Sequence, residues 1–182
     1  MMRTVAVLTL VLAATAGWLG RYIDHPPLAH TGGFGEPTCR RCHFEYPLNE
    51  PGGRLTIEGL PDTCRSDTSY TLQLILQHPE MLRAGFELAM RFADSGRQAG
   101  RLQPLDDRVW LDTLRGVWYA FHSPAGTELT ASGKAVWTLR WMPPDTTARV
   151  VLHAVANAAN DDASEFGDRI YQESADCLLR PR

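Results

Sequence analysis

The chain has only four cysteines in 182 residues. Cys39 and Cys42 form one close pair, and Cys64 and Cys177 each stand alone. A structural zinc site needs a second close pair of Cys or His, so this distribution argues against one. The net charge is −3, so the chain lacks the basic footprint of a nucleic-acid binder. After the N-terminal stretch there is no second long apolar run, so no second membrane-spanning helix is expected. No internal repeat or low-complexity tract is present. No Ser–His–Asp set, paired general acid and base, or glycine-rich phosphate loop stands out, so the chain is expected not to be an enzyme.

What is present is concentrated in Cys39, Arg40, Arg41, Cys42 and His43. They spell C-x-x-C-H, the signal for covalent attachment of a c-type haem. Each thiol can form a thioether with one haem vinyl group, and the imidazole that follows becomes the proximal iron ligand. A thioredoxin-type redox pair is the competing reading. It should follow a strand and open a helix, whereas here Gly32, Gly33, Gly35 and Pro37 precede the pair and Pro47, Pro51 and Gly52 follow it.

The N-terminus sets the compartment. Arg3 is followed by residues 4–20 with no charge, and Ala14-Thr15-Ala16 is a small-x-small cleavage site. That is a secretory signal peptide. An uncleaved anchor is the alternative, because Trp18, Arg21 and Tyr22 suit a membrane interface. Either way the expected location is periplasmic or extracellular, the side on which bacteria attach c-type haem. The chain stops at Arg182, shortly after Cys177, so it is expected to be free or held only by an uncleaved N-terminus, which would give membrane contact. In an oxidising compartment Cys64 and Cys177 are expected to pair as a disulfide, the competing reading being two free thiols. The bridge would close a loop of over 100 residues.

Residues 24–61 are rich in His, Pro and Gly and hold too few apolar side chains for a self-sufficient helical cytochrome. The remainder alternates with period two. Residues 70–77, 85–92, 117–122, 135–142 and 149–155 each read as a strand, punctuated by turn residues. A helix over residues 79–93 is the one competitor, and Gly85 together with the alternation after it argues for strand. The expected fold is mainly β, an antiparallel sandwich carrying an irregular N-terminal haem-binding segment. The expected division is residues 1–20 as signal or anchor, 21–62 as haem-binding segment, 63–176 as sandwich and 177–182 as tail.

Several motifs in order resemble a bacterial family of exported monohaem proteins that join one C-x-x-C-H segment to a Reeler-like β-sandwich. They are His30-Thr31-Gly32-Gly33-Phe34-Gly35 before the cysteines, Gly85-Phe86-Glu87-Leu88, Ala99-Gly100, His122-Ser123, Trp137 through Pro144, and Asn157 through Asn160 with Gly167-Asp168 and Tyr171. The resemblance spans residues 30–172. It implies a Reeler-like fold, one covalent haem c, and His122 as the sixth iron ligand opposite His43. The competing role for His122 is a histidine hydrogen-bonded at a strand end, as in Reeler modules without haem. His30 is the second candidate, and His153 is expected in or beside the core. Trp118, Trp137 and Trp141 could line the haem, with sandwich core the favoured reading for Trp137. Arg40 and Arg41 could pair with haem propionates or stay solvated. Asn157, Asn160 and Asp168 could hold calcium, although turn and surface roles are favoured.

The expected function is therefore single-electron transfer with a redox partner protein. Two alternatives accompany it. One is a haem enzyme or a gas or peroxide sensor with an open distal site. The other is an adhesion or self-assembly module with a mainly structural haem.

Overall fold

A nine-residue stretch shows how the alternation becomes layers. In residues 134–142 every second side chain is buried, namely Ala135, Trp137, Leu139 and Trp141. The intervening side chains are only partly covered. Period two on a strand sends these two sets to opposite faces, so one face must pack.

The computed structural model describes residues 25–181. The expected signal or anchor, residues 1–20, lies outside the described residues. The strands are β1 (Arg54–Glu58), β2 (Thr63–Arg65), β3 (Tyr70–Gln77), β4 (Arg83–Phe92), β5 (Arg101–Pro104), β6 (Val109–Leu114), β7 (Val117–His122), β8 (Lys134–Met142), β9 (Arg149–Ala159) and β10 (Arg169–Arg180). One sheet runs β1-β3-β8-β5 and the other β2-β10-β9-β4-β7-β6. β2 joins β10 in parallel; the remaining strand pairs are antiparallel. No described helix is long and apolar enough to cross a membrane.

The core lies between the sheets. Leu72, Leu74 and Leu76 of β3 and the β8 tryptophans face Phe86, Leu88 and Met90 of β4 and Leu152, Ala154 and Ala156 of β9. The indole N–H of Trp137 donates to the Gly126 carbonyl at 2.8 Å, and that of Trp141 to the Ala99 carbonyl at 2.9 Å. Both tryptophans are thus buried with their polar atom satisfied. Trp118 is exposed instead. The Cys64–Cys177 disulfide is present, buried at the join of β2 and β10.

The N-terminal segment is laid across the outer face of the six-stranded sheet. The backbone N–H of Asn49 donates to Ile170 O at 2.9 Å, and Asn49 Oδ1 accepts the Gln172 N–H at 2.7 Å. Glu45 accepts the Gly167 N–H at 2.6 Å. Gly33 lies directly on His153, where a Cβ would collide with the ring. His153 is therefore on the outer face beneath the segment, not within the sandwich core.

The boundaries differ from the expected division. β1 belongs to the four-stranded sheet, pairing with β3, so the sandwich begins at Arg54 and not at residue 63. β10 runs through Arg180 and holds Cys177, so residues 177–180 are sandwich and not tail. β1 was assigned to the haem segment because its five residues are too few to show alternation against their Gly- and Pro-rich flanks.

Candidate functional site

The C-x-x-C-H residues sit in a single 3-10 turn at Cys39–Arg41. Thr38 caps it by accepting the Arg40 N–H at 3.2 Å. The Cys42 and His43 N–H groups both return to Cys39 O, at 3.2 and 3.0 Å. In 3-10 geometry side chains three apart eclipse, so Cys39 and Cys42 project on one side. Both are free thiols; Cys42 is exposed and Cys39 partly covered. Burial pushes the Cys39 thiol well up, with the Glu87 carboxylate adding to it. Arg40 holds this loop by donating to Tyr46 O at 2.9 Å and Phe44 O at 3.4 Å. Arg41 is exposed.

His43 descends from the turn onto the sheet. Its Nδ1 is 2.8 Å from Oδ2 of Asp168. Asp168 is buried and also accepts the Asn157 side-chain N–H at 2.8 Å and the Asn160 N–H at 3.2 Å. Asp168 is therefore committed to His43 and to its own turn. Asp161, Asp162 and Glu165 are exposed around it.

His122 closes β7. Its Nδ1 lies 3.0 Å from Phe86 N and 3.2 Å from Phe86 O. The ring thus takes over the ladder position where β4 and β7 stop pairing, one rung beyond Glu87↔Phe121. Among the described residues Nε2 has no hydrogen-bond partner. Burial pushes the imidazole pKa down to about 4, with a nearby His25 also lowering it, so the ring is neutral at physiological pH.

One glycine puts the two histidines on neighbouring strands. Ala84 and Phe86 point into the core, so a Cβ on Gly85 would point outward; it would meet His122 Cε1 at 2.8 Å. The His122 ring therefore covers Gly85 on the outer face. Gly85 is paired in register with Asn157, whose side chain reaches both Asp168 and His43. Neighbouring strands are about 4.8 Å apart, so His43 over β9 and His122 leaning onto β4 occupy adjacent positions. The glycine leaves the space that the His122 ring occupies, which any larger residue would fill. His30 Nδ1 is 3.1 Å from Leu28 O.

Beside the histidines the segment is locked by buried charge. Arg91 pairs with Glu36 and donates to the Tyr119 hydroxyl at 2.6 Å, and Tyr119 donates to Glu36 at 2.6 Å. Phe34 lies under the Arg91 guanidinium, 5.3 Å to the ring centroid. Desolvation opposes ionisation of Glu36, yet hydrogen bonds from Arg91, Thr31 and Tyr119 hold it below the usual carboxylate range. Glu87, 0 % exposed, accepts the Ala29 N–H at 2.8 Å and the His30 N–H at 3.3 Å. Burial pushes its carboxyl up to about 8, against the pull of those N–H groups.

These shifts predict a pH profile for folding. His122 binds its proton more weakly folded than unfolded, so it makes stability rise with pH from about 4 to about 6.5. Glu87 binds its proton more tightly folded than unfolded, so it makes stability fall from the ordinary carboxylate value up to about pH 8. Between pH 6.5 and 8 only the Glu87 effect remains. Guanidinium unfolding should show a loss of about 1–2 kcal/mol across that window. In Glu87→Gln the loss should vanish. A flat wild-type profile there would mean that Glu87 is ionised in the fold.

Sequence reasoning did not find Glu36, Glu87 or Asp168 as partners of the segment. Asp168 and Glu87 each stood within a quoted motif, and that was the available signal; nothing local told what either would touch.

No family model and no curated protein matches the chain. Solved structures do. The Reelin-N domain of F-spondin superposes with a TM-score of 0.50 at 22% identity, covering 78% of this chain and 96% of that one. A human F-spondin reeler-domain structure gives 0.49 at 20% identity, covering 74% and 94%. A cohesin module from a Clostridium perfringens family 33 glycoside hydrolase gives 0.50 at 12% identity, covering 71% and 98%. The fold is a Reeler-like β-sandwich. At these identities the likeness concerns the architecture alone.

Proposed function

We propose that the chain is an exported monohaem c-type cytochrome that passes single electrons to and from a redox partner protein. The observation that carries this reading is the juxtaposition of C-x-x-C-H with two imidazoles on one sheet face. His43 is oriented by Asp168, and His122 lies over Gly85 at the adjacent position. The donor set fits the group: two free thiols on one side of a turn and two imidazole nitrogens without a protein partner.

A bound haem c would supply one-electron Fe(III)/Fe(II) cycling. Cys39 and Cys42 would carry the thioether links. His43 Nε2 and His122 Nε2 would hold the iron. Ligation through Nε2 would need the His122 tautomer in which Nδ1–H donates to Phe86 O at 3.2 Å, in place of the hydrogen bond that Phe86 N–H donates to Nδ1 at 3.0 Å. Arg41 and Cys42 are exposed, so a group tethered there stays near the surface that a partner approaches.

The test is spectroscopy on protein co-produced with haem-maturation machinery. We expect one haem per chain, retained through acid–acetone extraction, low-spin in both oxidation states. Haem that extracts, or a chain that never takes it up, would refute the proposal; a high-spin ferric wild type would favour the open-site alternative. His122→Ala should turn the ferric haem high-spin and let it bind cyanide, and let the ferrous haem bind CO, with the thioethers intact. An unchanged low-spin spectrum removes His122 as ligand. The same loss in His30→Ala or His25→Ala would move the ligand to the N-terminal segment.

A further inference from the structure

The contact between His43 and Asp168 joins residues 125 positions apart, so it is made by the fold and not by the local turn. Asp168 immediately precedes β10 and is 2% exposed. A carboxylate at neutral pH only accepts hydrogen bonds. Its Oδ2, 2.8 Å from His43 Nδ1, therefore requires a proton on Nδ1. In the neutral ring that leaves the lone pair on Nε2.

The carboxylate is itself fixed. Oδ1 takes the Asn160 N–H, and Oδ2 takes the Asn157 amide N–H. The Asn157 amide cannot be turned round, because its oxygen would then face the carboxylate. In the orientation it holds, Asn157 Oδ1 is buried with no hydrogen-bond partner. A buried unsatisfied amide oxygen is costly, and here it accompanies an arrangement that keeps Asp168 aimed at His43. The local 3-10 turn gives no such control: its hydrogen bonds involve the backbone of residues 38–43, not the His43 ring.

We propose that Asp168 is a positioning residue for His43, presenting Nε2 to the haem iron and, through an anionic hydrogen bond at Nδ1, strengthening His43 as a donor so that the ferric state is favoured. This rests on the haem reading above. A carboxylate partner on the outer nitrogen of a ligating histidine fixes its tautomer and raises its basicity. A more basic ligand stabilises the higher charge on iron.

Two measurements test it. The first uses the full chain without haem. Nitrogen-15 NMR of the His43 ring at slightly alkaline pH should find the Nδ1–H tautomer dominant, and Asp168→Ala should lose that preference while keeping the β-type circular dichroism. A dominant Nε2–H tautomer in the wild type would overturn the proposal. This measurement does not depend on haem attachment, so it separates failure of the Asp168 role from failure of the haem reading.

The second uses the haem-loaded protein in redox titration. Asp168→Asn keeps an acceptor but removes the charge. It should raise the ferrous-to-ferric ratio about tenfold at fixed ambient potential, which is about 59 mV for a one-electron couple. Asp168→Glu should recover part of that shift. A merely structural Asp168 would change stability and leave the ratio alone, so an Asp168→Asn ratio within about twofold of wild type also overturns the proposal, even with haem attached and low-spin.

Discussion

Replacing Cys39 and Cys42 together by alanine should abolish the covalent haem band on a peroxidase-stained denaturing gel and leave the fold in place. The physical reason is a division of labour in the N-terminal segment. Its anchorage to the sandwich is made by Glu36 with Arg91 and Tyr119, by Asn49 with β10, and by Glu87 with the Ala29 and His30 amides. Neither thiol takes part in any of these contacts. Far-UV circular dichroism and the unfolding midpoint should therefore match those of the haem-free wild type to within about 1 kcal/mol. A haem-staining band that survives the double substitution would place attachment elsewhere.

The second large effect concerns the buried bridge. Cys64 and Cys177 are separated by 113 positions, so the bond closes most of the sandwich into one loop. In the chain-entropy account a loop of this size is worth about 4.7 kcal/mol. Native domains have only about 5–15 kcal/mol in total. Cys64→Ala with Cys177→Ala should thus remove a large share of the stability, lowering Tm by about 10–18 °C for a chain of this length. Guanidinium unfolding under non-reducing conditions measures it. A loss below about 1 kcal/mol would show that the unfolded chain is not the state the bridge restrains.

Much of the sandwich was legible because alternation is a local property. Residues 70–77 match β3, and 117–122 match β7. Residues 135–142 fall within β8, 85–92 within β4 and 149–155 within β9. The helix considered over 79–93 is absent, as Gly85 indicated. β10 was missed although it has twelve residues. Its centre, Glu173 to Asp176, is polar and mostly exposed, so no periodic signal marks it. β1, β2, β5 and β6 were missed because they are short or largely exposed. The disulfide could be read because counting leaves one pair once C-x-x-C-H is set aside.

The candidate site was legible only in its covalent half. Cys39, Cys42 and His43 are adjacent in sequence. His122 entered through the resemblance, and the hydrogen bond of its Nδ1 to the Phe86 backbone is the contact expected of a structural strand-end histidine; its free Nε2 and its place over Gly85 are the additional facts. The charged partners could not be read. Whether Glu87 is solvated or buried, and whether Asp168 meets calcium or an imidazole, depends on strand register across the sheet.

That dependence has a consequence. The two imidazoles lie on neighbouring strands because Gly85 faces Asn157 across β4 and β9. A slip of β4 by one residue would turn Gly85 inward and put Ala84 or Phe86 beneath the His122 ring. The pair of histidines thus acts as a vernier for the six-stranded sheet. An error in packing on the far side, such as loss of the Phe86–Trp137 contact at 4.6 Å, would be reported at this surface as a misaligned pair long before the sandwich came apart.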